Sequence, residues 1–150
     1  MLTEIMNDHY DTWRKVLDIR HARVLQSKNH MDQMDVAFVE GALACEEHEK
    51  KVKEIRKLAT KVVAIGSCAI MGMPSAQRNT FDEQKTEEIN YLLERFNYGE
   101  KVKKLDEVIT IDEVVGGCPM TEKVFLEVLT RMLEEFEITL PEPEAEPSNS

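Results

Sequence analysis

The stretch KVVAIGSCAIMGMPSAQRN, residues 61–79, decides the fold. It begins with Val62-Val63-Ala64-Ile65, an apolar run through which no polar residue alternates. A strand that is apolar on both faces has to be covered on both, and this is the mark of a parallel sheet packed between helices. The run breaks at Gly66 and delivers Cys68 into a segment of small residues that reads as a loop. A thiol is thereby set just beyond the carboxyl end of a strand, the edge at which open α/β sheets gather their ligands.

Upstream, CEEHEKKVKEIRKLA (residues 45–59) is acidic early and basic late, which suits the helix macrodipole, and Val52, Ile55, Leu58 and Ala59 form its apolar stripe. Val36-Ala37-Phe38-Val39 reads as a second strand, ending at Glu40-Gly41, and Arg23-Val24-Leu25 as a weaker extended piece. Residues 2–19 gather Leu2, Ile5, Met6, Trp13, Val16 and Leu17 on one side of an amphipathic helix. Downstream, Ile89, Leu92, Leu93 and Phe96 predict a helix over 83–96, and Val108-Ile109-Thr110-Ile111 predicts a short strand leading to Gly116-Gly117-Cys118-Pro119. Thr121 is placed to cap a last helix with Val124, Phe125, Val128, Leu129, Met132 and Leu133 as its stripe. The alternation of strand and helix predicts a doubly wound parallel α/β sheet in one domain over residues 1–138. The remainder, 139–150, is rich in proline and acid and is expected to be a disordered tail.

The balance of 29 acidic against 19 basic residues, net −10, argues against a nucleic-acid surface, which needs a basic stripe. No apolar run approaches the roughly 20 residues that cross a bilayer. The opening MLTEIMNDHYDTW has neither a basic n-region nor an apolar core, so a cytoplasmic location is expected. Three cysteines, Cys45, Cys68 and Cys118, do not make a disulfide framework, which leaves metal, free thiol or packing.

Cys68 and Cys118 each leave a strand end through glycine, which lets backbone approach a bulky inorganic group and aim N–H groups at it. Thiolates with backbone amides line iron-sulfur sites, while on residue type alone two buried packing thiols would look the same. Arg78 reads as a loop cap, an interface contact or a solvated side chain. Glu40 reads as a helix-terminal charge or as a polar neighbour of a site. Met71 and Met73 read as packing, and His9, His21, His30 and His48 have no zinc-site spacing.

The run DVAFVEGALACEEHEKKVKEIRKLATKVVAIGSCAIMGMPSAQRN, residues 35–79, followed by VVGGCPM, residues 114–120, resembles the small subunit of nickel-iron hydrogenases and the related 20-kilodalton subunit of respiratory complex I. Val39-Glu40-Gly41-Ala42, Gly66-Ser67-Cys68-Ala69, Pro74-Ser75-Ala76-Gln77-Arg78-Asn79 and Gly117-Cys118-Pro119 carry the likeness, which extends over residues 34–136. It implies a flavodoxin-like domain in which Cys68 and Cys118 are ligands of a proximal 4Fe-4S cluster. It also implies an oxidoreductase subunit that passes electrons to or from a hydrogenase-like large subunit, which carries the catalytic metal, with further electron-transfer subunits beyond. The Arg78 loop would meet that large subunit.

The chain departs from this pattern at one place. The family takes its first two cluster cysteines from a paired motif, commonly Cys-x-x-Cys, after a first strand, and neither is present in these residues. Cys45 is then the only candidate for a third iron ligand, at a position where the family usually has none. The expected fold is a flavodoxin-like parallel sheet flanked by helices and lacking the usual first strand, with exposed ladder edges that invite association. The alternative is a truncated or cluster-free homologue that keeps the sheet and the 74–79 loop as an interaction module.

Overall fold

A computed structural model describes residues 2–22 and 27–140. They fall in two compact units, one formed by residues up to 31 together with those from 121 onward, the other by residues 32–120.

The second unit holds the sheet. Strand β1 (Met34–Glu40) is followed by helix α2 (Glu46–Leu58), β2 (Ala59–Ile65), the short helix α3 (Gly66–Met71) and a 3-10 helix at Ser75–Thr80. Helix α4 (Glu83–Arg95), a 3-10 turn at Leu105–Glu107 and β3 (Glu113–Val115) complete it. The strands lie in the order β1-β2-β3 and both pairings are parallel. Met34 stands opposite Ala59 and Glu40 opposite Ile65, while Val63 to Ile65 face Glu113 to Val115. All three strands therefore end at one edge. The observed α/β architecture, a parallel sheet with flanking helices, is the one that the Val62 to Ile65 run predicts.

The four residues Val62, Val63, Ala64 and Ile65 are all buried. Alternate side chains point to opposite faces of a strand, so both faces of β2 are shielded from water. On one face Val62 and Ala64 join Ala37, Leu43, Val52, Ala69, Leu105 and Ile109 in a single core. Full burial of a valine or leucine side chain contributes about 1.5–3 kcal/mol, and Val62 and Leu105 are both at 0 % exposure.

Two sequence expectations shift within this unit. The strand expected at 108–111 forms instead at Glu113–Val115. The amides of Val108 and Ile109 both donate to the Leu105 carbonyl at 3.0 Å, which closes a turn, and ladder contact with β2 starts only where the Asp112 N–H reaches the Val62 carbonyl at 2.8 Å. The β-branched residues serve the core, with Ile109 buried in it and Val108 and Ile111 packed against it. High β-propensity here reflects fit to a half-buried surface, which a turn can provide as well as a strand. The second shift concerns Cys68, which lies within α3 and not in a loop. Gly66, at φ +78°, turns the chain straight from strand into helix, a conformation that favours glycine.

The ends of β2 and β3 are pinned by Asp112. Its carboxylate accepts from the Val62 N–H at 2.7 Å and from the Arg56 guanidinium, which also donates to the carbonyls of Ala59 (3.0 Å) and Thr60 (2.7 Å). Burial pushes the Asp112 carboxyl up. The Val62 N–H, the Arg56 hydrogen bond and the Arg56 and Lys61 charges together outweigh it and hold the group below the usual carboxylate value.

The first unit contains α1 (Leu2–Trp13) and α5 (Glu122–Glu134). The Trp13 ring lies 6.2 Å from that of Phe125, His9 stacks on Trp13 at 5.2 Å, and His9 Nε2 meets Glu122 Oε1 at 2.9 Å. The stripe predicted for α5 is buried at Phe125, Val128, Leu129, Met132 and Leu133, while Val124 stays exposed. Thr121 occupies the N-cap position without a side-chain hydrogen bond. The helix expected over 2–19 stops at Trp13 and runs out through turns in which Val16 and Leu17 donate to the Trp13 carbonyl. Arg23-Val24-Leu25 and nearly all of the 139–150 segment lie outside the described residues.

Candidate functional site

At the carboxyl edge of the sheet two cysteine-bearing turns meet. β2 ends at Ile65 and its chain turns at Gly66 into α3, where Cys68 is half-buried and Ala69 is fully buried. β3 ends at Val115 and continues through Gly116 and Gly117 to Cys118, which is exposed. The Ser67 N–H donates to the Gly117 carbonyl at 3.1 Å, so the residue before one cysteine is bonded to the residue before the other. Gly117 has φ +118° and pairs with Met120 across a tight turn. A side chain at Gly117 would lie 2.7 Å from the Pro119 carbonyl oxygen and 2.8 Å from the Met120 Cα.

The exit of β1 forms a third lobe of this edge. Gly41 turns at φ +96°, and Leu43 and Lys103 exchange both backbone hydrogen bonds, at 2.8 and 2.9 Å. The Gly99 N–H adds a bond to the Ala44 carbonyl at 2.7 Å. Arg78 clamps the same place, donating to the carbonyls of Gly99 (2.8 Å) and Ala44 (3.4 Å) while its guanidinium sits 5.5 Å from the Tyr98 ring centre. Asn79 pairs its side-chain amide with both backbone groups of Val102, at 2.7 and 2.8 Å, as a strand neighbour would. Among the three readings that the sequence leaves for Arg78, the structure shows the loop cap. Lys103 reaches Glu49 at 2.7 Å, and that hydrogen bond is the main cause that holds the ammonium above its ordinary pKa.

Cys45 lies in this third lobe, half-buried at the N-cap of α2 and making no side-chain cap bond. The amide of Ala44 donates to His48 Nδ1 at 3.3 Å. Glu40 is exposed at the end of β1. All three cysteines are free thiols. Among the described residues no group of three or more histidine, cysteine or acidic side chains is arranged to hold a metal ion. A cubane cluster takes four thiolates. The bonded turns offer two of them, Cys68 and Cys118.

The sequence as a whole matches the model of the NADH ubiquinone oxidoreductase 20 Kd subunit over residues 1–132, a span that takes in both cysteine turns and the entire sheet. The chain belongs to this family. Among its relatives, a subunit of the F420-non-reducing hydrogenase of Methanothermobacter marburgensis is 31% identical over 153 aligned residues, covering 87% of this chain and 50% of that protein. The iron-sulfur subunit of the F420-non-reducing hydrogenase of Archaeoglobus profundus is 28% identical over 109 residues, covering 57% of this chain and 34% of that one. The chain thus spans about half the length, or less, of these curated relatives. In three dimensions it resembles a chain of an NAD+-reducing NiFe hydrogenase crystallised in the H2-reduced state, with a TM-score of 0.64 at 23% identity, covering 93% of this chain and 91% of that one. That likeness is one of fold. No helix among the described residues is long and apolar enough to cross a membrane.

Sequence reasoning missed the partners of the loop edge. Asn79 stands beside Arg78 in SAQRN, yet nothing local announces that its amide pairs with Val102, 23 residues on. Asp112 gave no signal either, because its partners Arg56 and Val62 are 50 or more residues away.

Proposed function

We propose that the chain is an electron-transfer subunit of a hydrogenase-like complex, working in the cytoplasm beside a catalytic large subunit, with Cys68 and Cys118 as its contribution to a proximal 4Fe-4S cluster. The observation that carries this reading is the Ser67 to Gly117 hydrogen bond, which brings two cysteine turns from distant parts of the chain to one rim of the sheet. Family membership and the iron-sulfur name of one relative support it. Catalytic metal chemistry would belong to the large subunit, while this chain provides thiolates and backbone N–H groups at the edge where ligands of parallel sheets collect.

The test is anaerobic loading of the chain with iron and sulfide. The expected product is brown, bleaches in air and loses its iron in Cys68→Ser and in Cys118→Ser. A second reading, an interaction module without a cluster, is favoured by the absence of any three-donor group among the described residues. It predicts a colourless protein whose metal content is the same in both variants.

A further inference from the structure

We infer that helix α4 is a self-association face, on which a second copy of the chain docks antiparallel with Leu92 at the two-fold axis. The inference is independent of the iron-sulfur reading, since no cysteine takes part. Helix α4 (Glu83–Arg95) buries none of its residues. Ile89 and Leu93 are half-buried, whereas Leu92 is 46% exposed and Phe96, just past the helix end, 56%. Spacings of three and four residues put Glu88, Leu92, Arg95 and Phe96 on one side over successive turns. Contacts at the far end agree with this placement: the Arg95 guanidinium lies 5.6 Å from the Phe96 ring centre, and the Phe96 ring 5.9 Å from that of Tyr98, itself 44% exposed.

The charges beside this stripe select its occupant. Glu88 stands one turn before Leu92 and Arg95 one turn after it, both on the same flank. A two-fold interface uses the same patch on both partners, and in an antiparallel helix pair each flank meets the same flank of the other helix. An axis at Leu92 therefore sets Glu88 of either copy beside Arg95 of the other and lays each Phe96 against the turn that carries the other copy's Glu88. Among the described residues neither charge has an ion-pair partner in its own chain: Glu88 meets the Gln84 amide at 3.5 Å, and Arg95 the Phe96 ring. A lipid surface does not fit, because Glu83, Glu87, Glu88 and Glu94 outnumber Lys85 and Arg95 along the helix, the wrong sign for anionic headgroups. At about 20 Å the helix offers a short seam, and the net charge of −10 opposes association at long range. The dimer is accordingly weak and needs enough salt to screen distant charge while the contacts at the seam persist.

The experiment is sedimentation equilibrium of the 150-residue chain, without iron, across the micromolar range at about 0.15 M salt. The expected result is a mass that climbs with concentration from one chain toward two. Leu92→Glu, which sets two carboxylates at the axis, should hold the chain at the mass of one. Glu88→Arg and Arg95→Glu should each weaken the dimer by about tenfold, because each turns two attractive pairs into two repulsive ones. The double variant Glu88→Arg/Arg95→Glu should recover it, a rescue that loss of helix would not produce. Circular dichroism shows that each variant is folded, as an exposed helix face allows. A chain that stays at the mass of one throughout would overturn the proposal and leave the α4 face to a different protein. A dimer unmoved by Leu92→Glu would show that the copies meet elsewhere. A double variant as weak as the single ones would end the antiparallel arrangement. None of these outcomes touches the iron-sulfur reading, which stands or falls on iron uptake.

Discussion

The amide of Ser67 donates to the carbonyl of Gly117 across 3.1 Å, joining two turns that stand 50 residues apart in sequence. This bond, more than any local motif, ties together the turns that carry Cys68 and Cys118 at the sheet edge. Its geometry depends on Gly117, whose φ of +118° few residues other than glycine adopt.

Gly117→Ala is therefore expected to be costly. The new Cβ would lie 2.7 Å from the Pro119 carbonyl oxygen and 2.8 Å from the Met120 Cα, both backbone atoms that cannot move aside cheaply. Strained backbone of this kind costs about 1–3 kcal/mol. Gly116→Ala is the control, because its Cβ would meet nothing within 4 Å. Urea unfolding of the two variants should separate them clearly. Equal midpoints would show that the turn yields.

Acid should act through Asp112. Its pKa in the folded chain is depressed, so its stabilising contribution is complete above the unfolded carboxylate value of about 4 and is lost as pH falls through the lower folded value. Asp112→Asn should lower stability at neutral pH by about 1 kcal/mol, below the roughly 1.5–3 kcal/mol of hydrogen bonds to charged groups because Asp112 is exposed and its charge is screened by water. It should also flatten the loss of stability on acidification below about pH 4. Denaturant midpoints for both proteins between neutral and acid pH measure this, and parallel curves would contradict it.

Replacing Arg78 tests the loop clamp. Arg78→Lys keeps the charge but loses the planar fork that spans the Ala44 and Gly99 carbonyls and lies over Tyr98. It should behave nearly as Arg78→Ala, with faster hydrogen exchange at the amides of Leu43, Gly99 and Lys103, which bond across the same seam. Full rescue by lysine would mean that charge alone suffices.

Leu92 and Leu105 should differ sharply in their response to truncation. Leu105 is at 0 % exposure within the core, so Leu105→Ala should cost about 2–5 kcal/mol. Leu92 is 46% exposed on a helix with no buried residue, so Leu92→Ala should stay within about 0.5 kcal/mol. Thermal unfolding of the pair checks this.

Periodicity alone determined much of this protein. The unbroken apolar run at Val62 to Ile65 specified a strand covered on both faces and hence a parallel α/β sheet, and the charge gradient of residues 46–58 specified the helix before it. Glycine placement marked both cysteine turns, and the motifs around them marked the family. The tertiary structure decided the rest. The sequence offered Ile89, Leu92, Leu93 and Phe96 as a stripe like any other, yet α4 buries none of them, because helical spacing shows that a face is apolar and not that anything covers it. The run 108–111 satisfied every local sign of a strand and became a packed turn, since ladder bonds are assigned by the neighbour and β2 meets the chain only from Asp112 onward. The joining of the Cys68 turn to the Cys118 turn, and the separate placement of Cys45, were fixed by hydrogen bonds between residues 50 or more apart, a range over which sequence spacing carries no geometric information.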